Sequence, residues 1–240
     1  MSDESMKKVL WWLCLFLAPA VLISIELFHP AGFTKDPGMY EYLSKPEPYD
    51  PKYEALGYFG PSWWFTLHMI QTPMVALVAV GLWLLVSGVV SREDPTAAIA
   101  AWLSRISVFV FLIYYTALDS IGGFGLARSI EWTQSLDLTP EQVQGVTRVL
   151  NHTWTDPWVG GVGSFISETG SWAVFFAAVF AAGALFLAKK APWPPLVLLV
   201  IFGWELQVSH TMPHGPIAFA LLIVSALWIR LKGRAPAPAG

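Results

Sequence analysis

Six long apolar runs constrain this chain more than any other feature of its sequence. An α-helix needs about 20 predominantly apolar residues to cross the hydrocarbon core of a bilayer. Only 13% of the 240 residues are charged and 55% are hydrophobic, whereas soluble domains are about 25% charged. The sequence therefore predicts an all-α integral membrane protein, a bundle of six transmembrane helices. The predicted helices cover residues 9–28, 63–90, 97–125, 162–188, 194–209 and 217–231.

The basic residues predict the orientation of these helices, because lysine and arginine are enriched on the cytoplasmic side of a membrane. Most of them fall on the side of the N-terminus. Both termini are therefore predicted to be cytoplasmic, with the protein in the cytoplasmic (plasma) membrane as a multi-pass protein. The basic residues on that side are Lys7, Lys8, Arg92, Arg105, Lys189, Lys190, Arg230, Lys232 and Arg234.

Two long loops are exoplasmic in this orientation, and both are predicted to be structured. The first covers residues 29–62 and is rich in proline and tyrosine. The second contains Thr139, Pro140 and Gln142 in the spacing of a capping box, which predicts a short helix to about Leu150. We predict a single transmembrane domain over residues 1–234 and a disordered Ala/Pro tail over 235–240. Cys14 is the single cysteine, which excludes a disulfide framework and a thiolate metal site.

Acids and histidines inside or beside the membrane runs are the candidate functional residues. Ionisable groups in a membrane are costly and are therefore functional candidates by default. The predicted orientation places all of them toward the exoplasmic face, which predicts a His/carboxylate site there. The acids are Glu26, Asp119, Glu168 and Glu205, and the histidines are His29, His68, His152, His210 and His214.

The segment between the fifth and sixth runs carries two of these histidines. Pro213 and Pro216 each remove a backbone donor and disfavour the helical region for the residue before them. A continuous helix is therefore not expected, and we predict a tight turn with His210 and His214 on either side of it. In the first run, Glu26 and His29 are three residues apart and would project from one helix face.

Several imidazoles with one or two carboxylates suit zinc, copper(II) or non-haem iron better than calcium or magnesium. The predicted metal ligands are His29, His68, His210, His214 and Asp119. A b-type haem is the other use of paired membrane histidines, and its predicted cofactor-binding residues are His68, His210 and His214. Ordinary structural roles are also open to these side chains, such as interfacial hydrogen bonding for His68 and a helix-dipole contact for Glu168.

Three functions remain open from the sequence. The first is a membrane protein that binds a transition metal or haem for redox or metal-assisted chemistry. The second is a metal-free membrane enzyme that acts on a lipid or isoprenoid-like substrate, with Glu26, Asp119 and Glu205 as catalytic acid–base residues. The third is a transporter or an assembly subunit of a membrane complex. The predicted partners are the lipid bilayer, a lipophilic small molecule and other membrane subunits, with no nucleic acid.

Overall fold

The computed structural model describes residues 3–29, 60–89 and 94–232. Its regular structure over these ranges is helical, with no strand, which confirms the predicted all-helical class. Most of the predicted first outer loop, residues 30–59, lies outside the described residues, as does the predicted tail over 235–240.

Two of the helical stretches contain a π-helical segment, a wider turn than the α-helix. The first stretch runs from α1 (Asp3–Trp12) through the π segment Leu13–Leu17 into α2 (Ala18–Glu26). The third run contains the second π segment, Asp119–Gly125, and Gly123 inside it leaves helical geometry (φ −87°, ψ −108°), so the chain kinks there. The other helices are α3 (Pro61–Leu85), α4 (Pro95–Leu118), α5 (Leu126–Gln134), α6 (Pro140–Thr155), α7 (Phe165–Leu187), α8 (Trp193–Val208) and α9 (His214–Lys232).

Five helical stretches among the described residues are long and apolar enough to cross a membrane. The stretch that contains α8 is apolar but has only 16 residues. The sixth crossing therefore stays a prediction. The five stretches are Asp3–Glu26, Pro61–Leu85, Pro95–Gln134, Phe165–Leu187 and His214–Leu231.

Internal packing divides the chain into two compact units, and α3, α4 and α7 contribute residues to both. The first unit comprises residues 1–27, 74–112 and 171–240. In it α9 packs against α8 and α2, and the Ser225 hydroxyl donates a 2.7 Å hydrogen bond to the Pro195 carbonyl. A side chain at Gly203 would lie 2.7 Å from Ala178, so this glycine is what lets α8 approach α7.

The second unit comprises residues 28–73 and 113–170. Trp64 is almost fully buried in its apolar core, and its indole N–H donates a 3.0 Å hydrogen bond to the Gly122 carbonyl. The capping box predicted at Thr139 is present, because Thr139 and Gln142 exchange side-chain and backbone hydrogen bonds at the start of α6. The other buried members of this core are Leu126, Ala127, Ile130, Leu150 and Trp154.

The predicted break between the last two helices is confirmed, with one correction. α8 ends at Val208 and α9 begins at His214, so the turn lies over residues 209–213. Pro216 does not break the helix, because it lies in the first turn of α9, where backbone N–H groups have no helical partner.

Candidate metal centre

Glu26 and His29 lie where the first helical stretch ends. The helix stops at Glu26, two residues before the predicted end, and residues 27–29 turn away from its axis. Pro30 follows in the sequence and disfavours the helical region for His29, which explains why the helix does not continue through it. Both side chains are buried, with Glu26 at 0% and His29 at 2% exposure.

His210 lies in the turn between α8 and α9 and is half-buried. Its carbonyl oxygen packs against the start of α9 so closely that a side chain at Gly215 would overlap it, since an added Cβ would lie 1.7 Å away. Burial lowers the pKa of His210 to about 4. The imidazole is therefore neutral near pH 7, and the neutral form is the one that binds a metal.

Within the first unit the structure brings Glu26 and His210 together. A carboxylate oxygen of Glu26 lies within 4.8 Å of a ring nitrogen of His210. His29 follows Glu26 by three residues in the sequence. Two imidazoles and one carboxylate are a ligand set of zinc and of non-haem iron.

In the second unit the His29 ring lies in an aromatic cluster with Trp64 and His68. Its centroid is 5.2 Å from the Trp64 ring and 5.5 Å from the His68 ring, and the Trp64 and His68 rings are 4.5 Å apart. The Nδ1 atom of His68 lies 2.8 Å from the Trp64 carbonyl. A carbonyl only accepts, so Nδ1 donates this hydrogen bond.

The absence of a side chain at Gly123 is needed for the position of His68. A Cβ at Gly123 would lie 2.6 Å from Cδ2 and 2.7 Å from Cγ of the imidazole, which is closer than packed carbon atoms approach. From the sequence, the glycines after Asp119 are expected to let a neighbouring backbone approach closely or to let the helix unwind around a ligand. At Gly123 the chain leaves helical geometry, and the close neighbour is the His68 side chain rather than a backbone.

Asp119 is buried in the second unit at 1% exposure and bonds to Thr72. The Thr72 hydroxyl lies 2.8 Å from the Asp119 carboxyl and 2.8 Å from the His68 carbonyl. The Thr72 hydroxyl is the donor in both contacts, and its one proton is shared between the carboxyl oxygen and the carbonyl.

Glu205 and His214 form a second carboxylate–imidazole pair, within the first unit. The Nδ1 atom of His214, the first residue of α9, lies 2.7 Å from a carboxylate oxygen of Glu205 in α8. Both side chains are partly exposed. The bond ties α8 to α9 across the turn that carries His210.

The predicted site residues thus fall into three sets. The first is Glu26 and His210; the second is His29, His68 and Asp119 with Thr72; the third is Glu205 and His214. The remaining candidates lie at the surface: His152 is exposed and 3.7 Å from Asp156, and Glu168 is exposed in the first turn of α7, as its helix-dipole interpretation requires.

Sequence reasoning did not find Thr72, Gln71 or Tyr115. Thr72 follows His68 by four residues, so the helical period places both on one face, and this signal was available. The Gln71 amide donates a 2.5 Å hydrogen bond to the Tyr115 hydroxyl. No local pattern connects that pair, because the residues come from two different helices.

Comparison of the chain with protein-family models, with curated proteins and with solved structures finds no match.

Proposed function

We propose that this chain is a multi-pass membrane protein that binds one divalent transition metal ion, zinc or iron(II), through Glu26, His29 and His210. The observation that carries the proposal is the approach of the His210 ring to the Glu26 carboxylate at the end of the first helical stretch. His29, three residues after Glu26, is the third proposed ligand. Three protein ligands leave at least one coordination position for water or a substrate, which is typical of catalytic rather than structural sites.

The spacing of Glu26 and His210 fits a metal after a small adjustment. Ligands bound at about 2.1 Å in a tetrahedral site lie about 3.4 Å from one another. The ligand atoms of Glu26 and His210 lie within 4.8 Å of each other, so rotations that move each atom by about 1 Å would bring them to that distance.

The bound ion would polarise a substrate oxygen or lower the pKa of a bound water, or, as iron, supply redox chemistry. The chain's own residues hold the site and limit access of water to it. Glu26 and His29 are buried. The Glu205–His214 bond steadies the turn that carries His210. A lipophilic small molecule is the substrate class that can reach such a site from the bilayer.

We also propose that the protein lies in the plasma membrane with both termini in the cytoplasm. In this orientation the site faces the exoplasmic side. The support is the distribution of lysine and arginine along the chain. Reporter fusions after Arg234 and near Glu93 should read cytoplasmic, and an insertion near Lys45 should read exoplasmic. A cytoplasmic signal near Lys45 would reverse the orientation.

Elemental analysis of the purified protein tests the metal. Untagged wild-type protein should contain about one zinc or iron per chain, and Glu26→Gln, His29→Ala and His210→Ala should each lose most of it. His152→Ala is the matched control, because His152 is exposed in α6 and lies outside the group. Equal metal content in His210→Ala and His152→Ala would exclude the proposed ligands.

The second candidate function is metal-free acid–base catalysis on a lipid or isoprenoid-like substrate. The 2.7 Å hydrogen bond between Glu205 and His214 favours it, because a carboxylate that orients an imidazole is a common arrangement of a general base. Wild-type protein that contains no metal, and loses its activity on Glu205→Gln, would support this function over the first.

A further inference from the structure

An open groove of about 400 Å³ runs along the first helical stretch. Its walls are apolar and aromatic except at one end, where a lysine side chain lines it. This composition matches an elongated amphipathic ligand that has a long apolar part and a negative end. The lining residues are Lys8, Val9, Trp12, Leu13, Phe16 and Leu17.

The backbone beneath the groove has an uncommon geometry. Leu13, Phe16 and Leu17 belong to the π segment, and single-turn π segments inside α-helices are found frequently at functional sites. The opposite face of the segment is fixed by packing, since Leu15 is fully buried and a Cβ at Gly81 would lie 2.7 Å from its Cδ2 atom. The shape of the groove is therefore set by the backbone and by the helix behind it.

The aromatic rings of Trp12 and Phe16 line the groove and pack edge to face. Their centroids are 5.4 Å apart, and the Trp12 ring also lies edge to face with Trp11 at 5.1 Å. The Arg230 guanidinium lies over both indoles, 4.1 Å from the Trp11 centroid and 5.3 Å from that of Trp12. These cation–π contacts hold the two tryptophans in place.

Two adjacent lysines differ in their surroundings. The Lys7 ammonium makes a 2.6 Å ion pair with Asp3 and does not line the groove. Lys8 lines it. The positive charge that lines the groove therefore comes from Lys8, and it complements a phosphate rather than a neutral headgroup.

We propose that this groove binds one anionic phospholipid, with an acyl chain along Trp12, Phe16 and Leu17 and the phosphate at Lys8. The bilayer supplies such a ligand at the depth where a transmembrane helix meets the headgroups. The site is independent of the proposed metal centre.

Native mass spectrometry of the full chain in detergent tests the site, with phosphatidylglycerol and phosphatidylcholine as probes. Wild-type protein should bind the first lipid more tightly. Lys8→Gln should weaken phosphatidylglycerol binding about five-fold, as expected for one basic residue near a membrane surface. Lys7→Gln removes the same charge beside the groove and should leave the affinity unchanged.

Four results would overturn the proposal. Equal affinity for the two lipids would remove the role of charge, and equal losses in Lys7→Gln and Lys8→Gln would show general surface electrostatics. Inorganic phosphate or glycerophosphoglycerol that competes as well as the lipid would show a headgroup site without an acyl groove. A Leu17→Gln variant checks the same point, because Leu17 is 52% exposed and its replacement spares the fold; unchanged lipid affinity in it would also contradict the acyl position.

Discussion

Replacing Gly123 with alanine should destabilise the second unit by displacing the His68 ring. The added Cβ would lie 2.6 Å from Cδ2 and 3.0 Å from Cβ of His68, so the ring has to move. The ring has little room, because it packs against Trp64 at 4.5 Å and bonds to the Trp64 carbonyl. Overpacking of this kind costs about 1–3 kcal/mol, and loss of the hydrogen bond adds about 0.5–1.5 kcal/mol.

Thermal unfolding of the purified protein measures this loss. A combined cost of about 1.5–4.5 kcal/mol corresponds to a fall in Tm of about 3–18 °C for a chain of this size. Gly145→Ala is the matched control, because no atom lies within 4 Å of an added Cβ at this exposed position of α6. Alanine has the higher helix propensity, so this control should gain about 0.5–1 kcal/mol.

The essential result is that the Tm falls in Gly123→Ala and rises in Gly145→Ala. Gly123→Ala protein with the Tm of wild type would refute the close packing of Gly123 on His68. A fall in both variants would instead indicate a general effect of adding methyl groups to these helices.

Three further substitutions should have smaller effects. Thr139→Ala should destabilise α6 by about 1 kcal/mol through loss of the capping box, seen as faster amide exchange in the first turn of that helix. Glu205→Ala should cost about 1 kcal/mol, since the imidazole that opens α9 loses its 2.7 Å partner; an unchanged Tm would contradict this. Hydrogen bonds from the backbone amides of Val159 and Trp158 hold the pKa of Asp156 below its ordinary value. The protection of these amides against exchange, measured relative to the intrinsic rate at each pH, should therefore be full above that ordinary value and be lost as the pH falls through the lowered pKa, whereas Asp156→Asn should show no such step.

Local signals predicted the local features of this fold. Apolar run length predicts the helices, and the Thr139–Gln142 spacing predicts the capping box that the structure contains. Pro213 predicts the break between α8 and α9. The same rule wrongly predicts a break at Pro216. The missing backbone N–H of a proline is costly inside a helix but not in its first turn, where Pro216 lies.

Contacts between helices could not be predicted from the sequence. The pattern places Glu26, His29 and His210 toward one side of a membrane, but tertiary packing decides which of the candidate histidines approaches Glu26. The hydrogen bond between Thr72 and Asp119 was not predictable for the same reason, because it depends on how the two helical segments pack against each other. Hydrophobic periodicity specifies which face of a helix is buried and leaves its neighbour undetermined.

X-ray absorption spectroscopy at the metal edge is the most direct test of the proposed centre. For wild-type protein we expect a first shell of nitrogen and oxygen with two imidazoles, at about 2.0–2.2 Å for zinc. His210→Ala protein reconstituted with the metal should show one imidazole fewer, and His152→Ala should match wild type. A first shell without imidazole, or one that His210→Ala leaves unchanged, would contradict a metal held by Glu26, His29 and His210.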